Sequence, residues 1–257
     1  MRIRLDISYD GTNYQGWQKQ KHTDETIQTK LESCLKKLFA ADIQCIGSGR
    51  TDSGVHARQQ SVHFDLDDSI QLEKYKILSA LNSMLPSDIS ADQVYHVKKD
   101  FHALSSAEEK YYIYQMYLSK YPKALRERYF HQVHQKIDFK LFNSYLDVLK
   151  GKKDFKSFQT AGTPVPDTIR EIRQIFLRNL DDGILELHIQ GDGFLKQMVR
   201  NLVGTLLDLD KRLAAPEELS EILQAKDRSA AGKTAPAKAL FLHKVSYPSA
   251  YILKKLS

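Results

Sequence analysis

The run Gly47-Ser48-Gly49-Arg50-Thr51-Asp52-Ser53-Gly54-Val55-His56 sets one acid and one base two residues apart inside a glycine-rich segment. A short apolar run, Ile43 to Ile46, precedes it and an alternating run, Ser61 to Asp65, follows, so it reads as a loop between strands. Its glycines permit tight or left-handed backbone, and loops carried on rigid scaffolds are where reactive groups concentrate. A dinucleotide-binding turn would need glycine where Asp52 stands, and a phosphate-cradling loop would need Gly-Lys-Ser/Thr after the turn. Neither pattern is present. Two readings remain from the residues alone: a turn in which Asp52 caps the backbone and Arg50 neutralises it, or a site in which the Asp52 carboxylate is a nucleophile or base. His56 and His63 near Asp52 raise a metal hydrolase as a third, but no third-ligand spacing accompanies them, and no metal is expected.

The elements that must hold this loop follow from hydrophobic periodicity. Arg2 to Tyr9 alternates with period two, which predicts a strand with Ile3, Leu5 and Ile7 inward and Arg4, Asp6 and Ser8 outward. A polar, aromatic, glycine-containing loop runs from Asp10 to Gln20. From Thr26 the spacing of Ile27, Leu31, Leu35, Leu38 and Phe39 predicts a helix, and Leu72 to Leu85 a second, before a strand near Ile89 to Val97. The later chain predicts an aromatic strand (Tyr111 to Leu118), a helix (Phe139 to Leu149), two strands (Ile169 to Arg178, Ile184 to Gln190), a long helix (Phe194 to Leu207), a helix from Pro216 to Gln224 and a last strand from Leu240 to Val245. Strands and helices in this order give an α+β fold in two similar halves, divided here as 1–105 with the Asp52 loop and 106–257.

The chain has 257 residues, 42% of them hydrophobic, and a net charge of +6. Its mean hydropathy of −0.46 and pI near 9.1 suit a globular protein that tolerates a polyanionic partner. Cys34 and Cys45 form neither a disulfide framework nor a metal spacing, and no apolar run reaches the length of a membrane span. A reducing, cytoplasmic setting is expected.

Several segments together resemble one family. Gly49-Arg50-Thr51-Asp52-Ser53-Gly54-Val55-His56-Ala57 is similar to the signature of the TruA family of tRNA pseudouridine synthases. So are Tyr9-Asp10-Gly11-Thr12-Asn13-Tyr14-Gln15-Gly16-Trp17-Gln18-Lys19-Gln20, Leu81-Asn82-Ser83-Met84-Leu85-Pro86-Ser87-Asp88-Ile89, Lys110-Tyr111-Tyr112-Ile113-Tyr114 and Phe194-Leu195-Lys196-Gln197-Met198-Val199-Arg200-Asn201-Leu202-Val203-Gly204. Further matches lie at Gly151 with Asp154-Phe155 and Phe158, at Arg170 with Ile172, and at Thr234-Ala235-Pro236-Ala237.

The resemblance implies the pseudouridine synthase fold, with mainly antiparallel sheets flanked by helices around a central cleft. It implies isomerisation of uridine in the anticodon stem-loop of tRNA, at positions 38, 39 and 40, by a homodimer that uses no cofactor. It also assigns roles. Asp52 matches the catalytic aspartate, Arg200 the arginine that pairs with it, Tyr112 the tyrosine against the target base, and Arg50 the residue that fills the vacated space and holds phosphate or base. On residue chemistry alone, Tyr112 is a half-buried sheet tyrosine and Arg200 an arginine at the edge of an apolar helix face. Lys19, Lys21, Lys110 and Lys196 are offered as contacts to the RNA backbone.

The chain departs from the family pattern in places. Leu104 and Ser105 stand where Arg-Phe is usual, Ile113 replaces an arginine, Lys153 a histidine, Lys233 a proline and Ala239 a glycine, and Leu207-Asp208-Leu209-Asp210 stands for Val-Gly-x-Gly. Asp52, Tyr112 and Arg200 are all kept. The competing reading is a non-catalytic or altered-specificity RNA-binding or tRNA-folding paralogue.

Overall fold

A computed structural model describes residues 1–70, 73–163 and 165–255. In chain order the strands are β1 (Arg2–Tyr9), β2 (Ile46–Gly47), β3 (His56–Asp65), β4 (Ile89–Val97), β5 (Glu109–Leu118), β6 (His131–Val133), β7 (Gly151–Asp154), β8 (Ile169–Asn179), β9 (Ile184–Gly191), β10 (Leu240–Ser246) and β11 (Ile252–Lys255). The α-helices are α1 (Ile27–Phe39), α2 (Lys74–Met84), α3 (Phe139–Leu149), α4 (Met198–Arg212) and α5 (Pro216–Ala225). The helix expected from Leu72 begins in the described residues at Lys74, and Leu72 itself lies outside them.

The chain forms two compact units. The first comprises Met1–Glu109 together with the chain from Leu242 onward, and the second Lys110–Phe241. The division read from the sequence puts 242–257 in the second half; in the structure this stretch lies with the first. The physical reasons are local. β11 pairs antiparallel with β4, the Tyr247 hydroxyl donates to the carbonyl of Ala103 at 2.7 Å, and Tyr247 and Tyr251 pack on buried Phe101.

In the first unit β1 is central, antiparallel to β3 on one side and β4 on the other, and β2 pairs with β3. Ile3, Leu5 and Ile7 are buried as the alternation predicts. α1 forms because Thr26 caps it, its side chain accepting from Thr29 N–H, while Ile27, Leu31 and Leu35 bury one stripe. Lys36 and Lys37 in its last turn complement the helix dipole.

The outward placing of Arg4 and Asp6 is corrected by the structure. Both are buried, at 7% and 2% exposure. Arg4 Nε and Nη2 donate to the two Asp6 oxygens at 2.8 and 2.7 Å, and the guanidinium lies 4.9 Å from the Tyr95 ring centroid and 4.5 Å from that of Tyr247. Period two separates the faces of a strand, yet whether the second face meets water depends on residues far away in the chain, here Tyr95 and Tyr247.

His63 of β3 is buried at 3% exposure, and its Nδ1 accepts the Ala103 N–H at 3.1 Å. Burial, reinforced by the positive charge of Arg2, pulls its pKa down from 6.5 to about 4. The unfolded chain then takes up this proton near pH 6.5 and the folded chain only near pH 4. Stability is expected to fall as pH drops through that window. His63→Gln, whose amide oxygen can still accept from Ala103, should flatten this part of a denaturation-midpoint profile against pH. An unchanged profile would assign the acid sensitivity elsewhere.

In the second unit β5, β9, β8 and β7 follow one another antiparallel, and β6 joins β5 in parallel. The helix expected from Phe194 to Leu207 instead runs from Met198 to Arg212. Gln197 adopts a left-handed conformation (φ 60°), so Phe194 and Leu195 belong to the approach loop. Beyond Leu207, the buried Leu209 carries the helix on until Leu213 ends it, again left-handed.

Candidate active site

Asp52 stands in the loop between β2 and β3, half-buried, with Arg50 exposed two residues before it. The backbone of this loop is gripped from several directions within the first unit. The Asp52 carbonyl accepts Val55 N–H at 3.1 Å, closing a turn around Gly54 (φ 77°). The Thr51 carbonyl accepts Trp17 N–H at 3.1 Å, and the Thr51 hydroxyl lies 2.8 Å from that of Tyr9. Ser53 Oγ donates to the Tyr14 carbonyl at 3.0 Å, and Gln60 Nε2 donates to the Gly49 carbonyl at 2.7 Å.

The loop from Asp10 to Gln20 is therefore the mould against which the Asp52 loop sets. The two come so close that side chains are excluded. A Cβ at Gly11 would lie 2.0 Å from the Val55 carbonyl oxygen, and one at Gly16 (φ +88°) would lie 2.6 Å from that of Thr51. Trp17, 2% exposed, seats its ring where a side chain at Gly47 would be. Tyr14 donates its hydroxyl to Asp88, and Asp10 N–H donates to the Asp88 carbonyl at 2.9 Å, which ties this loop to the start of β4. Gly11→Ala is expected to destabilise the fold by about 1–3 kcal/mol, because a backbone carbonyl cannot swing aside as a side chain can. Chemical denaturation measures this, and an unaltered midpoint would mean that the two loops separate easily.

The histidines have structural engagements here. His56, 1% exposed, accepts Gly11 N–H on Nδ1 at 3.0 Å, with an Asp10 carboxylate oxygen also at 3.0 Å. Among the described residues no group of three or more His, Cys, Asp or Glu side chains is arranged to hold a metal ion.

In the second unit Tyr112 lies on β5, 8% exposed, opposite Ile189 of β9. The Phe194 ring meets it edge-on, with centroids 5.2 Å apart at 84°. Two residues along the same strand face, Tyr114 is fully buried. Its hydroxyl donates to the Pro236 carbonyl at 3.0 Å; burial raises its pKa, and the charge of Arg200 opposes that rise.

Arg200 sits in the first turn of α4 and is half-buried. Its Nε donates to the Ala235 carbonyl at 2.8 Å, while Ala235 N–H donates to the Arg200 carbonyl at 3.1 Å. The Ala235 segment is held against α4 by a polar knot. Thr234 Oγ1 donates to Asn201 Oδ1 at 2.7 Å, Arg228 reaches the same oxygen at 3.2 Å, and Asn201 Nδ2 donates to the Phe158 carbonyl at 2.8 Å. A Cβ at Gly204 would lie 1.7 Å from the Lys233 carbonyl oxygen, so helix and segment touch backbone to backbone.

Of the expected site residues, Arg50 and Asp52 belong to the first unit and Tyr112 and Arg200 to the second. Of the four lysines offered as RNA contacts, Lys19, Lys21 and Lys196 are exposed, but Lys110 is 9% exposed. Sequence reasoning had no signal for the Tyr9–Thr51 contact or for Phe194 against Tyr112, since both join residues from separate elements.

A family model described as tRNA pseudouridine synthase matches residues 7–104 and 146–248. A protein of Bdellovibrio bacteriovorus named tRNA pseudouridine synthase A is 43% identical over 249 residues, covering 96% of this chain and 95% of its own. The protein of that name from Bacillus pumilus is 39% identical over 249 residues, covering 96% and 99%. That from Acetivibrio thermocellus is 39% identical over 246 residues, covering 95% and 99%. On this full-length similarity, the chain belongs to the tRNA pseudouridine synthase family.

Proposed function

We propose that this isomerase converts uridine to pseudouridine in the anticodon stem-loop of tRNA, at positions 38, 39 and 40, as a cytoplasmic homodimer. Asp52, Tyr112 and Arg200 are its catalytic residues, and Tyr112 and Arg50 contact the substrate. The observation that carries the reading is the grip on the Asp52 loop: Thr51 and Ser53, on either side of the aspartate, are each bonded to the Asp10–Gln20 segment or the end of β1. A loop held this firmly lowers the cost of bringing its carboxylate into place for a transition state.

The reaction breaks the N-glycosidic bond of uridine, turns the freed uracil and rejoins it through carbon, with no net redox change. Asp52 starts it either as a nucleophile or by removing a sugar proton to give a glycal-type intermediate. The target base must first leave its stack, at a cost of roughly a few kcal/mol. Exposed Arg50 suits the space the base leaves, and the Tyr112 ring offers a stacking face with a phenol able to relay a proton. The excess of Lys and Arg, 38 against 32 acids, fits a substrate whose binding weakens with salt. Leu104, 51% exposed where the family usually has arginine, presents an apolar side chain and bears on which tRNAs are accepted.

Transcripts in which uridine is kept at only one of positions 38, 39 or 40 test the assignment. Product at each of the three supports it, and product elsewhere in the tRNA would refute the anticodon placement.

A further inference from the structure

Residues 231–236 lie between two short 3-10 turns, Arg228–Ala230 and Ala237–Ala239, and belong to no helix or strand. Such a stretch has no ladder of its own to fix its backbone, so its polar groups must find partners elsewhere. Three consecutive residues are each tied to a different place. Thr234 Oγ1 donates to Asn201 Oδ1 of α4 at 2.7 Å, and Ala235 exchanges two bonds with Arg200. The Pro236 carbonyl accepts the Tyr114 hydroxyl of β5 at 3.0 Å. Pro236 also disfavours helical backbone at Ala235 before it.

The Thr234 hydroxyl is held on both of its sides. Arg228 Nη2 donates to it at 3.1 Å and to Asn201 Oδ1 at 3.2 Å, while Arg228 Nη1 donates to the Ala231 carbonyl at 3.2 Å. All three acceptors are neutral, so these charge-assisted bonds brace geometry and neutralise no charge. Asn201, on the far side, is itself immobilised. It is 0% exposed, its Nδ2 donates to the Phe158 carbonyl at 2.8 Å, and its backbone carbonyl accepts Thr205 Oγ1 at 2.8 Å. Thr205 Oγ1 in turn accepts Gly232 N–H at 2.9 Å, which returns to the same stretch.

The effect reaches Arg200 through Ala235, whose carbonyl accepts from Nε at 2.8 Å. Because a guanidinium is planar, a bond at Nε sets the plane and direction of both terminal nitrogens. Displacing that carbonyl turns the plane.

We infer that Thr234 is a positioning residue for Arg200: its hydroxyl, clamped between Arg228 and Asn201, fixes the Ala235 carbonyl and through it the plane of the Arg200 guanidinium. The inference rests on the proposed function, in which Arg200 is catalytic.

The test measures kcat and KM for tRNA, with folding checked by circular dichroism. Thr234→Val keeps the shape and removes the hydroxyl. It is expected to lower kcat on the order of 10-fold, as misplacement of a reacting group does, with KM held within about twofold. Thr234→Ser should recover most of the rate. Arg228→Met, which removes the brace from the other side, should lower kcat in the same way. Adding Thr234→Val to Arg200→Ala should cost nothing further, since the hydroxyl acts through that arginine.

A wild-type kcat in Thr234→Val, a raised KM with unchanged kcat, or losses that multiply in the double variant would overturn the inference. Hydrogen exchange at the Arg200 Nε–H, read by NMR without substrate, separates it from the activity on which it rests. Faster exchange in Thr234→Val and in Arg228→Met supports the positioning role even if the wild type forms no pseudouridine, and exchange equal to that of the wild type overturns it.

Discussion

Asp52→Ala is expected to lower pseudouridine formation by about 10⁴-fold or more, because it removes the group proposed to begin the reaction and leaves only binding and orientation. tRNA affinity should stay within a few fold, since one half-buried carboxylate adds little to holding a polyanion. The loop itself should survive. Its grip runs through Thr51, Ser53 and the Asp52 carbonyl. Single-turnover assays on a defined transcript, paired with filter binding, check both halves of the expectation. A variant that keeps more than a few per cent of the wild-type rate would remove Asp52 from the catalytic role.

Arg200→Ala is the second large effect, expected at about 10²-fold to 10³-fold in kcat, the range seen when a preorganised electrostatic group is removed. Arg200 occupies the first turn of α4, where the helix dipole disfavours a cation by about 0.3–1 kcal/mol. Its Nε donates to the Ala235 carbonyl, in a segment also held by Thr234, Asn201 and Arg228. In the proposed reaction a cation at this place favours ionised carboxylate and stabilises developing negative charge. Melting temperature should change little while turnover collapses. Arg200→Lys, which keeps the charge and loses the planar fork, should fall between. Wild-type turnover in Arg200→Ala would contradict the assignment.

Much of the first unit was legible because its signals are local. The alternation of Arg2 to Tyr9, the capped stripe after Thr26 and the glycine punctuation around Asp52 each depend on neighbours in sequence. What stayed hidden was set by distant partners. Arg4 and Asp6 look like the wet face of a strand and are buried because Tyr95 and Tyr247 close over them. Lys110 looks like a surface cation and is buried at a corner made by β8 and β9. The return of β11 to β4 follows a strand of four residues, too short for periodicity to register. In α4 the apolar stripe begins at Phe194 although the helix does not, since a stripe cannot show that Gln197 turns left-handed.

For the site, the motif located the Asp52 loop and the Asp10–Gln20 loop but not the fact that one is moulded on the other. That relation appears only in the space at Gly11 and Gly16, where backbone meets backbone.

The most direct test of the central claim is to incubate the purified protein with unmodified tRNA transcripts, excess chelator and no added nucleotide, and to map pseudouridine along each product. New pseudouridine in the anticodon arm, absent when Asp52→Ala replaces the wild type, is the predicted result. Transcripts that are bound but carry no new pseudouridine would contradict it and leave a protein that holds tRNA without isomerising it.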